Sequence, residues 1–295
     1  MNRIAITTPE AFNYKEILRF LSRNEKESLH SIVNNTIIKV LEVNQELVLF
    51  SIEFDKHLVA TIHTPNQSAE IQSIVKSYIS DWFDLTTDLQ QFYGIAAQDP
   101  TLEQLCQKYY GMRMIGMPNL FESLVWSVIG QQINLNFAYT LKQRLVHNFG
   151  KSITYNGETY YALPTPEILA SLRIEDFQPL QFSRSKAQYI INIAQAFNDG
   201  HLSQQALAML SFDEIRQQLT AIKGVGNWTA NYSMMKSMKG YDAFPVEDVG
   251  LHNAVRTQYG LPAKPTIPTL HEMAQKWSGW RGYATFYFWH SLLGE

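Results

Sequence analysis

The chain has 295 residues, of which 45% are hydrophobic and 17% are charged, and its formal net charge at pH 7 is −3. This length allows two or three domains with proper hydrophobic cores. The single cysteine, Cys106, excludes an intrachain disulfide and any four-cysteine zinc or iron–sulfur site. We expect Cys106 to be a small buried hydrophobe in a protein of the reducing cytosol.

Membrane segments and a strongly basic surface are not indicated. No stretch approaches the ~20 apolar residues of a membrane span, and the N-terminus lacks the apolar core of a secretory signal. We therefore expect a soluble, cytoplasmic protein with no membrane partner. The negative net charge fits poorly with sequence-independent binding of nucleic acid, which usually needs a basic face.

Residues 1–111 combine strand-like alternation with helical stretches. A helix is predicted at 14–21, and helical patterns follow at 68–82 and 86–94. Period-two alternation and β-branched residues predict strands at 4–6, 36–43, 47–54 and 57–62. The first domain is therefore predicted to be α+β, with an antiparallel sheet.

Residues 112–295 show few strand signals and many helix start and stop signals, and at least eight helices are expected. Helices are predicted to begin after Asn119 and Thr165, to end at Gly150, and to start at a capping box formed by 269–272. Further helices are predicted at 186–197, 212–222, 228–238, 249–259 and 282–293.

A glycine-containing turn, 223–226, lies between two of these helices. Gly224 and Gly226 permit positive φ and leave backbone N–H groups free at a helix N-terminus, where an anion can be held. A plain helical hairpin, in which the glycines only end one helix and begin the next, explains the spacing equally well.

The sequence around this turn resembles the helix-hairpin-helix DNA glycosylase superfamily. The hairpin reads L-x-x-I-x-G-V-G-x-W-T-A from Leu219, and the segment 244–248 (FPVED) follows the second helix. Within the superfamily the chain is most similar to the 3-methyladenine DNA glycosylase II type. That resemblance implies an N-terminal antiparallel sheet domain, 1–111, before a helical region, 112–295, with two lobes and a cleft between them.

The resemblance also implies site residues. It places the essential carboxylate at Asp248 and base-contacting aromatics at Trp228, Tyr232, Trp289 and, more weakly, Phe20. A carboxylate can stabilise an oxocarbenium-like transition state, and aromatic faces attract a cationic alkylated base by roughly 0.5–2 kcal/mol. From the pattern alone, Asp248 is also a good N-cap, and the two roles are compatible. Most other aromatics near the C-terminus are expected in the core.

Further positions follow from the same resemblance. Members that cut the strand carry a nucleophilic lysine where this chain has Trp228, so we expect hydrolysis without lyase activity. Lys223, Gly224 and Gly226 are expected to hold DNA phosphate, and Gln132 to fill the gap left by the flipped base. The backbone carbonyls expected to hold a monovalent cation belong to Thr220, Ile222 and Val225. No other cofactor and no iron–sulfur cluster are expected.

The predicted function is therefore excision of an alkylated base from duplex DNA by a monomeric glycosylase. One alternative is an 8-oxoguanine-type glycosylase on the same scaffold. The other is a non-catalytic hairpin protein that binds DNA during repair.

Overall fold

The structure is a computed structural model that describes residues 3–294, and it begins with an α+β region. Its strands are β1 Arg3–Ile6, β2 His30–Val33, β3 Thr36–Val43, β4 Glu46–Phe54 and β5 Leu58–Ile62. They form one antiparallel sheet in the order β1-β5-β4-β3-β2. Its helices are α1 Tyr14–Leu21, α2 Ala69–Trp82, α3 Leu89–Ala96 and α4 Pro100–Lys108. The predicted N-terminal antiparallel sheet is confirmed.

Two tight turns set the register of this sheet. Asn34 and Asn35 join β2 to β3 with φ of 50° and 63°, and Asn44 and Gln45 join β3 to β4 with φ of 50° and 68°. Two-residue loops with positive φ match the twist of antiparallel strands, and asparagine tolerates that conformation. Strand β2 was not predicted, because four half-buried or exposed residues give little alternation.

The remaining region is mostly helical, as predicted. Its helices are α5 Leu120–Gly130, α6 Leu135–Phe149, α7 Pro166–Ser171, α8 Ile174–Phe177, α9 Arg184–Asn198, α10 Gln204–Leu207, α11 Phe212–Thr220, α12 Asn227–Ser237, α13 Val249–Gln258, α14 Ile267–Met273 and α15 Arg281–His290. None of the helices between residues 3 and 294 is long and apolar enough to cross a membrane.

In this region one element was not predicted and one predicted helix start is wrong. A hairpin of two short strands, β6 Ser152–Tyr155 and β7 Glu158–Tyr161, interrupts the helices. The capping box predicted at 269–272 is absent, because Thr266 is the N-cap of α14 and accepts a hydrogen bond from the Thr269 amide. The strands of the hairpin have four residues each, too few for a clear alternation, and the helix begins three residues before the predicted start at Thr269.

One hydrophobic core runs through both regions. The ring of Phe20 in α1 lies 4.9 Å from that of Phe286 in α15. The buried Arg113 donates hydrogen bonds to the carbonyls of Ala11, Asp84 and Thr87. The domain boundary predicted at 111/112 remains a prediction, and the core crosses it. Cys106 is buried as expected, and burial raises the pKa of its thiol to about 12.

Candidate active site

Asp248 caps the N-terminus of α13 and meets two tryptophans there. Its Oδ1 accepts hydrogen bonds from the Leu251 amide at 2.8 Å and from Trp289 Nε1 at 2.8 Å. Its Oδ2 accepts one from Trp228 Nε1 at 3.0 Å. Three donors therefore fix the orientation of the carboxylate and stabilise its negative charge at the positive end of a helix dipole. The predicted N-cap is confirmed.

The aromatic side chains around this carboxylate form a half-buried wall. Trp228 and Tyr232 stand one turn apart on α12 and stack with ring centroids 5.4 Å apart. The Tyr232 ring lies 5.9 Å from that of Trp289 on α15. The structure thus brings together Asp248, Trp228, Tyr232 and Trp289, all of them only partly buried. Partial exposure next to a fixed carboxylate is what a cleft for a reacting group requires.

The other C-terminal aromatics lie mostly in the core. Trp277, Tyr283, Phe286, Tyr287 and Phe288 are fully buried, as the helical spacing predicted. Trp289 differs from them because the helix turns its indole toward Asp248.

Gly250 was not predicted to matter, yet it borders this arrangement. A Cβ added there would lie 2.9 Å from Asp248 Oδ1 and 3.4 Å from Trp289 Nε1. Glycine therefore leaves room for the hydrogen bond between these two side chains. In the sequence, the position of Gly250 two residues after Asp248 could have indicated this closeness.

The hairpin turn before α12 has one strained glycine, not two. Gly224 adopts φ of +106°, and a Cβ there would lie 2.2 Å from Tyr189 Cγ. Gly226 is the N-cap of α12 with φ of −91°, which other residues also adopt. Of the two glycines that permit positive φ, only Gly224 adopts it. Lys223 and Gly226 are exposed, so the start of α12 is open to an anion.

A second loop, 131–134, is tied to the hairpin. Gln131 Nε2 donates to the Gly224 carbonyl at 3.0 Å and to Thr229 Oγ1 at 3.1 Å, and its own carbonyl accepts from Lys186 Nζ at 2.7 Å. Burial lowers the pKa of Lys186 to about 8. Gln132 is exposed with φ of +56°, beside these contacts. Gln131 is a positioning residue that the sequence did not single out.

Phe20 and Tyr232 line a small chamber, and Asp248 does not line it. Other residues of this chamber are Arg23, Met117 and Lys236. Burial raises the pKa of the Tyr232 hydroxyl, and burial followed by the charge of Arg23 lowers that of Lys236 well below its usual value. Phe20 therefore contributes to the wall behind the aromatic cluster and does not contact the carboxylate.

The residues predicted to hold a monovalent cation lie in the hairpin. The Ile222 carbonyl accepts a hydrogen bond from the Val225 amide at 3.0 Å, and Thr220 ends α11. Their cation-binding role stays a prediction. Across residues 3–294, no three His, Cys, Asp or Glu side chains are grouped so as to hold a metal ion.

A groove next to α11 and α12 does not coincide with the aromatic cluster. A groove of about 540 Å³ is lined by Asn227, Asn231 and Glu247, but not by Asp248 or the two tryptophans. Its arginines are paired with neighbouring aspartates, for example Arg281 with Asp242. The carboxylate and its indoles, and not this groove, therefore define the candidate site.

Comparison with known families agrees with this architecture. The model of the HhH-GPD superfamily of base excision DNA repair proteins matches residues 125–279. The chain belongs to this superfamily. A model of the N-terminal domain of 8-oxoguanine DNA glycosylase matches residues 5–124. The HhH-GPD match contains the hairpin, Trp228, Tyr232 and Asp248.

Individual relatives cover nearly the whole chain. The DNA-3-methyladenine glycosylase of Bacillus subtilis (strain 168) is 40% identical over 294 residues, which is 98% of this chain and 97% of that protein. The structure of a 3-methyladenine DNA glycosylase from Archaeoglobus fulgidus is similar with a TM-score of 0.84, at 22% identity and full coverage of both chains. The DNA complex of an 8-oxoguanine glycosylase/lyase from Clostridium acetobutylicum gives a TM-score of 0.75, at 22% identity, covering 99% and 98% of the two chains. The prediction of a base-excision glycosylase is confirmed at the level of the family.

Proposed function

We propose that this glycosylase flips an alkylated base, of the 3-methyladenine type, out of duplex DNA and hydrolyses its N-glycosidic bond. The observation that carries the proposal is the half-buried Asp248 carboxylate, held by two indole N–H groups beside a stacked Trp228 and Tyr232. The 40% identity to a DNA-3-methyladenine glycosylase supports the substrate class.

The chemistry follows from the charges. As the bond between base and sugar breaks, positive charge develops on the deoxyribose, and the fixed carboxylate of Asp248 stabilises it. Water adds to the sugar carbon and loses a proton to the solvent, and the base departs with the bonding electrons. A cationic alkylated base leaves as a neutral molecule, so no general acid is required. The aromatic faces of Trp228, Tyr232 and Trp289 would hold that base before cleavage.

Hydrolysis without strand cleavage is part of the proposal. A lyase step needs an amine to attack the sugar and form a Schiff base, and the position two residues after the second hairpin glycine is Trp228. An indole cannot form that adduct. Borohydride treatment of the enzyme with lesion DNA should therefore trap no covalent complex, and a trapped complex would contradict monofunctional hydrolysis.

We propose that DNA is held mainly by backbone groups. The free N–H groups at the start of α12, next to Gly226, would bind a phosphate, which requires few lysines in a chain of net charge −3. Lys223 would add charge at this point, the carbonyls of the turn would hold a monovalent cation, and Gln132 would enter the gap left by the base. The protein would act as a cytoplasmic monomer on damaged duplex DNA.

The test compares Asp248→Asn with Glu247→Gln, which alters the exposed neighbouring carboxylate. Release of 3-methyladenine from methylated duplex DNA should fall by a factor on the order of 10³ in Asp248→Asn. Binding to DNA with an abasic-site analogue should persist, and Glu247→Gln should keep wild-type release. Full turnover by Asp248→Asn would refute the role of this carboxylate.

The 8-oxoguanine alternative rests on the match of residues 5–124 to the N-terminal domain of 8-oxoguanine DNA glycosylase. A duplex containing 8-oxoguanine belongs in the same assay. Release of that base and not of 3-methyladenine would favour the alternative, and release of neither would favour a non-catalytic binding protein.

A further inference from the structure

The wall behind Tyr232 carries a positive charge that base flipping and Asp248 do not account for. The guanidinium carbon of Arg23 lies 3.9 Å from the centroid of the Phe20 ring, and its Nη1 donates to the Phe20 carbonyl at 2.8 Å. Within residues 3–294, no carboxylate lies close enough to form an ion pair with Arg23. A guanidinium has five N–H donors, so Arg23 retains donors for a ligand.

The other cationic side chains around this chamber have partners. Lys142 pairs with Glu27 at 2.6 Å, and Lys39 donates to the Leu29 carbonyl at 3.1 Å. Lys236 donates to the Ile115 carbonyl and lies 4.9 Å from the centroid of the Phe286 ring. Arg23 also hydrogen-bonds to Tyr139, but with five N–H groups it keeps more unused donors than each of these three lysines.

The carboxylates of the chamber do not neutralise the positive charge of Arg23 near Tyr232. Glu27 is neutralised by Lys142, and Glu122 acts on Lys39 and Tyr78 at the other end. Burial raises the pKa of the Tyr232 hydroxyl most strongly. Among the charged groups, Arg23 has the largest effect on this pKa and lowers it, whereas Asp248 raises it by less. The site is thus polarised, with a carboxylate at its mouth and a guanidinium at its back.

The direction of α12 relates this polarity to a bound base. Trp228 donates to Asp248, and the Tyr232 ring, which stacks on Trp228 with centroids 5.4 Å apart, also lines the chamber that contains Arg23. A purine with its sugar nitrogen at Asp248 and its ring along Trp228 and Tyr232 would direct its opposite edge, which bears the 6-substituent, toward this chamber. The chamber measures about 40 Å³, which suits one exocyclic atom or a water and not a whole base.

We propose that Arg23 is a specificity-determining residue that donates a hydrogen bond to a carbonyl on the far edge of the extruded base and so raises the release of 6-oxopurines relative to that of 3-methyladenine, which the aromatic faces alone hold. The inference rests on the proposed function, because it assumes that a base occupies the aromatic cleft. The 6-oxo group of guanine-type bases is an acceptor, whereas the 6-amino group of adenine-type bases is a donor. A guanidinium donates a hydrogen bond to the first and gains none from the second.

Methylated DNA provides a test in which charge is matched. Duplex DNA treated with dimethyl sulfate contains both 7-methylguanine and 3-methyladenine, which are both cationic but differ at the 6-position. The ratio of the two initial release rates, 7-methylguanine to 3-methyladenine, should fall about tenfold in Arg23→Gln, as expected for loss of a guanidinium–acceptor pair. Arg23→Lys keeps the charge without the planar fork and should give an intermediate ratio.

Arg19→Gln is the matched control. Arg19 is on the same helix, but its Nη2 donates to the carbonyls of Leu293 and Gly294, away from the chamber. Its ratio should equal that of the wild type. An unchanged ratio in Arg23→Gln would overturn the proposal. Equal loss of both releases together with a lowered melting temperature would also overturn it, because Arg23 would then act only in stability.

A binding measurement separates this inference from the proposed function. Free hypoxanthine and free adenine can be titrated against the tryptophan fluorescence of the wild type and of Arg23→Gln, since Trp228 and Trp289 line the cleft. The wild type should prefer hypoxanthine, and the variant should not. If the wild type releases no methylated base but this preference depends on Arg23, the proposed function fails and the specificity role stands. Equal affinities in the wild type would overturn the specificity role.

Discussion

Asp99 and Asp248 each begin a helix and each accept a hydrogen bond from a tryptophan, but their surroundings differ. Asp99 caps α4, accepts from Trp277 Nε1 at 3.0 Å and from the Tyr259 hydroxyl, and is 2% exposed. Asp248 caps α13, accepts from Trp228 and Trp289, and is only half-buried. The same donor types therefore serve a buried junction in one place and an accessible carboxylate in the other.

The distribution of donors over the two oxygens makes the contrast sharper. Asp99 Oδ1 accepts from the amides of Thr101 and Leu102, while its Oδ2 accepts from both aromatic side chains. Asp248 Oδ2 accepts only from Trp228 among residues 3–294. A buried carboxylate with both oxygens fully used holds structure together. A half-buried carboxylate with an oxygen that accepts a single hydrogen bond can still interact with a reacting group or accept a hydrogen bond from water.

The largest expected effect comes from changing each aspartate to asparagine. In Asp99→Asn the amide nitrogen must face either two backbone N–H groups or the buried Trp277 N–H, and the free energy of unfolding should fall by about 3 kcal/mol. In Asp248→Asn the amide faces one donor at the cleft, and asparagine is also a good N-cap, so stability should change by less than about 1 kcal/mol. Urea unfolding measures both.

Activity should show the reverse order. Base release per folded molecule should be unchanged in Asp99→Asn and nearly lost in Asp248→Asn. Equal loss of stability in both variants, or loss of base release in folded Asp99→Asn, would contradict this comparison. The difference in exposure would then not explain the different roles of Asp99 and Asp248.

The second prediction concerns the space beside Asp248. Gly250→Ala would place a Cβ 2.9 Å from Asp248 Oδ1, so the carboxylate and the Trp289 indole must shift apart. A displacement of this size should lower base release by about 10- to 100-fold. The close contact lowers the free energy of unfolding, whereas alanine stabilises a helix by up to about 1 kcal/mol relative to glycine. These two effects offset each other, so stability should change little. Steady-state release and thermal melting provide the two readings.

Gly94→Ala is the matched control, because an added Cβ at that helical glycine meets nothing within 4 Å. It should keep full release. If Gly250→Ala released base at the wild-type rate, a fixed carboxylate geometry would not be required for the reaction.

Much of this fold follows from local patterns. Strand β3 covers the predicted residues 36–43, and α1 covers the predicted 14–21, because alternation and helical spacing there agree with burial. The hairpin β6–β7 was missed although Asn156 and Gly157, both with positive φ, give a turn signal. Its four-residue strands carry too little alternation to stand out among helices.

The candidate site was predictable where its residues are close in sequence. Trp228 and Tyr232 share a helix face, and Asp248 follows that helix, so their grouping follows from spacing and from the family resemblance. The hydrogen bond from Trp289 spans 41 positions, and the place of Arg23 behind Tyr232 depends on how α1 packs against α12. Contacts between distant segments depend on tertiary packing, which periodicity does not describe.

The smallest predicted effect comes from removing one indole donor at each aspartate. Trp228→Phe leaves Asp248 Oδ2 without its donor from the described residues, and base release should fall about tenfold with little change in stability. Trp277→Phe leaves Asp99 Oδ2 with the Tyr259 hydroxyl, and the free energy of unfolding should fall by about 1.5 kcal/mol while release per folded molecule is kept. Both substitutions retain an aromatic ring, so the comparison isolates the N–H group. A loss of stability in Trp228→Phe as large as that in Trp277→Phe would mean that the Asp248 cluster also holds the fold together.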